Sequence, residues 1–149
     1  MNRKWLILIV TLVALLVLIG SRISMHRGYF AEDKSETARL IDQFHARLNA
    51  NQFDQIYDDA DDSLKQSDTR ENWRKVLVAV SDHTGQFRRV NNSKLNVIVG
   101  AQVEIRGAYR STFEKGTFTE LFAFVRRGEQ VRLAYYSAFN GTDNDVKQQ

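Results

Sequence analysis

Cysteine is absent from the 149 residues. That excludes a disulfide framework, a thiolate metal site, a cysteine nucleophile and a lipid-modified N-terminal cysteine. Acidic residues are missing from the N-terminal end, since all 18 lie at or beyond Glu32. Glycine-rich loops are missing too: Gly107, Gly116 and Gly128 stand alone, which leaves no phosphate loop and no hydrolase elbow. His26, His45 and His83 share no helical face at metal-ligand spacing, so neither a metal nor a cofactor is expected. The run Asp58, Asp59, Asp61, Asp62 lacks the glycine and the twelfth-position glutamate of a calcium loop, and reads as a solvated acidic helix face.

What is present is one core's worth of apolar residues, 43% of the chain, at a length that suits a single domain. The pI of about 9.3 would ordinarily raise nucleic-acid binding. Four of the bases, however, Arg3, Lys4, Arg22 and Arg27, flank an apolar run, and without them the chain is nearly neutral. The basic pI therefore reports a membrane segment, and no nucleic-acid partner is expected. Within the domain, residues 32–82 carry twelve acids against seven bases, and residues 83–149 six against ten. That asymmetry is a hint of an anionic partner for the second half.

From Trp5 to Ile19 every residue but Thr11 is apolar, and residues 5–23 suffice to span a bilayer if Arg22 snorkels. A cleaved signal peptide is the alternative. No small-x-small cleavage pattern follows Leu18, so an uncleaved single-pass anchor is expected. The charges before the span favour, by a small margin, a cytoplasmic N-terminus and a domain facing outward across a bacterial inner membrane. The expected organisation is an anchor and juxtamembrane segment over 1–28, a domain over 29–140 and a loose tail over 141–149.

Asp33 and Glu36 resemble a capping box, followed by Thr37, Ile41, Phe44 and Leu48 at helical spacing, with Ala38 and Leu40 widening the stripe. Phe53, Ile56, Tyr57, Ala60 and Leu64 predict a second helix. Asp68 and Glu71 predict the cap of a third, which carries Trp73, Val76, Leu77 and Val80 and closes at Gly85. Beyond Gly85 the period drops to two: first Leu95, Val97 and Val99, then a strand with Val103, Ile105, Gly107, Tyr109, Ser111 and Phe113 on one face. Turns at Glu114-Lys115-Gly116 and Arg127-Gly128-Glu129 separate it from strands carrying Phe118, Phe122, Phe124 and then Val131, Leu133, Tyr135, Ser137 and Phe139. The expected class is α+β, with three helices on a curved four-stranded antiparallel sheet.

Two stretches carry a resemblance: FHARLNANQFDQIYDDADDSLKQSDTRENWRKVLVAV at Phe44–Val80, and VEIRGAYRSTFEKGTFTELFAFVRRGEQVRLAYYSAF at Val103–Phe139. They resemble the nuclear-transport-factor-2-like superfamily, the cone-shaped fold shared with ketosteroid isomerase-like proteins, and in particular small bacterial envelope proteins. The resemblance implies a cone with a cavity. It also implies members that act as isomerases, dehydratases, binders or assembly scaffolds, so the fold does not select an activity.

An isomerase of this kind needs a carboxylate base and an acidic hydrogen-bond donor in one apolar cavity. Glu120 shares parity with Phe118 and Phe122, and Tyr57, Tyr109 and Tyr135 are the candidate phenols. The plainer reading puts Glu120 at a strand end reaching water. His45 is read as neither base nor ligand. The aromatic lining of a cavity would come from Phe44, Tyr57, Trp73, Tyr109, Phe122 and Tyr135. On the opposite sheet face, parity places Arg106, Ala108, Arg110, Ala134, Tyr136 and Ala138 outward, with Arg132 extending a basic stripe. Glu104 and Glu114 are expected to pair with it across strands. The expected function is a membrane-tethered, non-catalytic interaction module. Its partner is a second copy or an envelope protein, docked through Arg106, Arg110, Arg132 and Tyr136. The alternative is a binder of, or enzyme for, a small apolar ligand.

Overall fold

The computed structural model describes residues 34–99 and 102–141. The expected anchor at residues 5–23 and most of the expected tail lie outside them. Among the described residues no helix is long and apolar enough to cross a membrane. The chain divides into two compact units, Met1–Ser35 and Glu36–Gln149.

The architecture is α+β: among the described residues, four helices are followed by four antiparallel strands in one open sheet of order β1-β2-β3-β4. Helix α1 (residues 34–49) buries Thr37, Ile41, Phe44, His45 and Leu48, a stripe with the i, i+3, i+4, i+7 spacing of a core-facing helix. The stripe widens on the His45 side rather than toward Ala38, which is exposed.

The single second helix expected from Phe53 to Leu64 is two helices, α2 (Phe53–Asp58) and α3 (Asp62–Ser67). Asp61 causes the break. Its backbone is extended, its side chain caps α3 by accepting from the Ser63 N–H and hydroxyl, and its own N–H donates to Leu133 O on the last strand at 2.7 Å. Its carboxylate takes both Nε and Nη2 of Arg127, at 2.8 and 3.1 Å. That guanidinium holds the Asp61 carboxyl well below the usual carboxylate range, with the Ser63 bonds acting in the same direction. The acidic run is thus not one solvated face. Asp58 pairs with Arg70 and Asp59 with Arg47, while Asp61 is buried.

Helix α4 (Arg70–Thr84) is capped by Thr69, whose hydroxyl accepts from Asn72 N–H, rather than by Asp68. It ends on Gly85 at φ 71°, a left-handed conformation that disfavours a side chain. Trp73 and Leu77 are its buried anchors, and Val76 is exposed.

Strand β1 (Phe87–Val99) begins eight residues before Leu95, where the alternating pattern becomes visible. Register shifts between Phe87 and Arg89 and between Val90 and Asn92 interrupt the period of two over its first half. Its start is fixed by Asn49. The Asn49 side chain donates to Phe87 O and accepts from Phe87 N–H, at 3.1 and 2.8 Å.

Strands β2 (Val103–Phe113) and β3 (Gly116–Arg127) pair without interruption. Strand β4 (Gln130–Phe139) carries a bulge. Ala123 pairs with Tyr135 but Phe124 with Leu133, so Ala134 is left over and the facing of every later residue reverses. The core lies between the helices and the inner sheet face, with Ile41, Phe44, Leu48, Trp73 and Leu77 meeting Ile105, Phe113, Phe122 and Phe124. Each such side chain, fully buried, contributes about 1.5–3 kcal/mol.

Candidate functional site

Glu120 alternates along β3 with Phe118, Phe122 and Phe124, and all four side chains are buried. Its exposure is 0%, which corrects the reading that it reaches water at a strand end. Nε2 of His45 lies 3.0 Å from each Glu120 carboxylate oxygen, and the Tyr136 hydroxyl donates to Oε1 at 2.9 Å. His45 and Tyr136 are 1% and 3% exposed. A carboxylate taken out of water is tolerable only with such donors, and here an imidazole from α1 and a phenol from β4 supply them.

Aromatic rings pack around the site. Phe122 meets Phe44 edge-on at 5.2 Å, Tyr109 at 5.5 Å and Tyr136 at 4.9 Å. The His45 imidazole stacks on Phe87 at 3.6 Å with an interplanar angle of 5°. Nδ1 of His45 is buried without a hydrogen-bond partner. Burial, together with the neighbouring Glu120 charge, raises the Tyr136 hydroxyl well above the ordinary phenol range. Burial pushes Tyr109 up to about 12. Both phenols are therefore neutral over the physiological range.

Of the residues expected to line a cavity, Phe44, Tyr109, Glu120 and Phe122 come together here. Trp73 is buried in the same core. Tyr57 is elsewhere: its hydroxyl donates to Asp68 O and the Arg70 guanidinium lies 5.0 Å above its ring. Tyr135 is a correction, since the bulge turns it outward to 52% exposure and places Tyr136, expected on the outer face, inside. Sequence reasoning therefore missed His45 and Tyr136. The signal for His45 was its place in the stripe of Ile41, Phe44 and Leu48. For Tyr136 there was none, because Ala134 does not announce a bulge.

Of the arginines expected to pair across strands, Arg106 and Arg132 bond within their own strands, to Glu104 and Gln130, and Arg110 donates to Gly141 O. Glu114 accepts from Gln86 N–H. Between α1, α2 and β4 there is a recess of about 60 Å3 bounded by Phe44, Arg47, Ile56, Phe124 and Arg132 among others. Small-molecule sites occupy roughly 300–1,000 Å3. The cluster around Glu120 fixes α1, β3 and β4 to one another. No protein-family model and no curated protein matches the chain.

Proposed function

We propose that this chain is a membrane-tethered, non-catalytic interaction module of the bacterial envelope, built on a nuclear-transport-factor-2-like cone and pairing with a second copy through its outer sheet face. The observation that carries the reading is the contrast between the two sheet faces. Inside, the polar cluster of His45, Glu120 and Tyr136 is sealed. Outside, Tyr135 stands in a row with Arg106 and Ala123, beside a row of Ala108, Leu121 and Ser137. Small side chains permit close approach, and an exposed tyrosine and an arginine are the residue types enriched at interface centres. The element order and the single antiparallel sheet are compatible with the cone.

Sedimentation velocity of the wild type and of Tyr135→Glu tests the pairing. A dimer at tens of micromolar that the substitution dissociates is expected, and a wild-type monomer at high micromolar concentration would remove the second copy. Carbonate extraction tests the tether. The full chain should stay with membranes, and with Leu15 and Leu16 both changed to Arg it should not, since each central charge costs roughly 2.5–3.5 kcal/mol.

A second reading, a binder of or enzyme for a small apolar ligand, is favoured by one observation, the inward Glu120 with two donors beside an unpartnered His45 Nδ1. Saturation-transfer NMR with a panel of hydrophobic ring compounds tests it. Contacts to Phe44 and Phe122 protons would displace the non-catalytic reading.

A further inference from the structure

The two edges of the sheet are finished differently. On β4 the chain covers its own edge, because Asp61 N–H bonds Leu133 O and α3 packs alongside. On β1, among the described residues, the ladder pairs with β2 alone. The stretch from Asn92 to Ile98 is regular in register, and among the described residues no strand pairs with its outer backbone edge. An open, regular edge is a template for another strand.

The side chains of β1 say which strand. Its 13 residues include Arg88, Arg89 and Lys94 and no acid. By register, Arg89, Asn92, Lys94 and Asn96 lie on the outer face, paired with Thr112, Arg110, Ala108 and Arg106. Over Ala108, the side chains of Asn92, Lys94, Arg110 and Thr119 bound a recess of about 30 Å3, room for one carboxylate oxygen or water. On the inner face Leu95 and Val97 are only half-buried, although they pack on the core. A second copy cannot use this edge well, since two β1 strands, neither carrying an acid, would set cations against cations, and like charges opposite one another destabilise a strand pair.

We propose that the β1 edge takes an extended acidic segment of a partner protein by strand addition. Apolar residues of that segment would lie against Leu95 and Val97, and Asp or Glu at alternate positions would lie beside Lys94 and Arg89. The backbone ladder gives affinity and the alternating pattern gives selection. Arg89 and Lys94, which bar self-pairing, are the same cations that select the acidic strand. This rests on the interaction-module reading but uses a different surface from the Tyr135 face, so the two fail separately.

The test uses the full-length chain in detergent micelles and two fluorescein-labelled ten-residue peptides, one alternating Glu and Val and the other alternating Lys and Val. Anisotropy should show the Glu peptide binding about tenfold or more tighter than the Lys peptide. Amide hydrogen exchange should slow in residues 89–98 on binding. The exposed double substitution Arg89→Glu, Lys94→Glu should reverse the preference, and gained binding of the Lys peptide shows that this variant is folded. Equal binding of both peptides, binding of neither, protection confined to another strand, or an unreversed preference would each overturn the proposal. A chain that dimerises through Tyr135 yet ignores both peptides overturns the strand-addition proposal and leaves the proposed function intact.

Discussion

Both carboxylate oxygens of Glu120 lie 3.0 Å from Nε2 of His45, residues 75 positions apart, so one buried carboxylate ties the first helix to the third strand. Removing only the acceptor strands two buried donors. Glu120→Leu should therefore cost about 3–5 kcal/mol in urea unfolding, whereas His45→Leu combined with Glu120→Leu should recover a large part of that loss. A Glu120→Leu protein as stable as the wild type would show that the cluster does not form.

Asp61 gives an acid-side prediction. Its folded-state carboxyl is depressed below the ordinary value, so the associated stability is complete above the unfolded pKa near 4 and is lost as pH falls below it. Arg127 is about half exposed, and water screens the pair. Asp61→Ala, which also loses the α3 cap, should cost about 2 kcal/mol at neutral pH. Thermal melts from pH 7 to 2 should show the wild type losing stability relative to Asp61→Asn across the acid range. Parallel curves would separate Asp61 from acid unfolding.

Tyr136 and Tyr109 give the alkaline counterpart. Folded-state values raised above the unfolded one mean that stability is whole below about pH 10 and is lost as pH climbs beyond it, toward about 12 for Tyr109. Circular dichroism melts between pH 9 and 12 should show this fall, and Tyr136→Phe should lessen it while weakening the neutral-pH fold by about 1–3 kcal/mol through the lost donor to Glu120. An alkaline profile unchanged in the variant counts against the assignment.

Gly107 is fixed by packing. A Cβ there would meet the Tyr109 ring at 2.3 Å, because that ring leans along its own strand to reach Phe122. Gly107→Ala should destabilise by about 1–3 kcal/mol, as overpacked cores do. Near-ultraviolet circular dichroism should report a displaced tyrosine, and an unchanged spectrum with unchanged stability would contradict the packing.

Where a physical period was uninterrupted, the sequence was legible. The β2–β3 hairpin could be read residue by residue because no bulge intervenes between Val103 and Arg127. On β4 one unremarkable alanine reversed the parity, exchanging the places of Tyr135 and Tyr136. The start of β1 was illegible for the same reason, since two register shifts erase alternation and a side chain 38 residues away, Asn49, sets the boundary. The second helix broke at Asp61, whose cap on Ser63 is a local signal but whose contacts to Leu133 and Arg127 no local propensity encodes. Two of the three members of the polar cluster were visible in principle: Glu120 by strand parity and His45 by helical spacing. A lone histidine in an apolar stripe discloses nothing of its partner.

The order β1-β2-β3-β4 follows the chain, so every strand pair closes through a short connection at small entropic cost. The meander is built for early assembly. The bonds that fasten α1 to it, Asn49 to Phe87 and His45 to Glu120, span far more chain and reward closure only once the sheet exists. Loss of the Glu120 bonds is then a matter of how fast the finished domain comes apart. In stopped-flow chevrons, Glu120→Leu should steepen the rise in unfolding rate and leave the refolding limb nearly where it was.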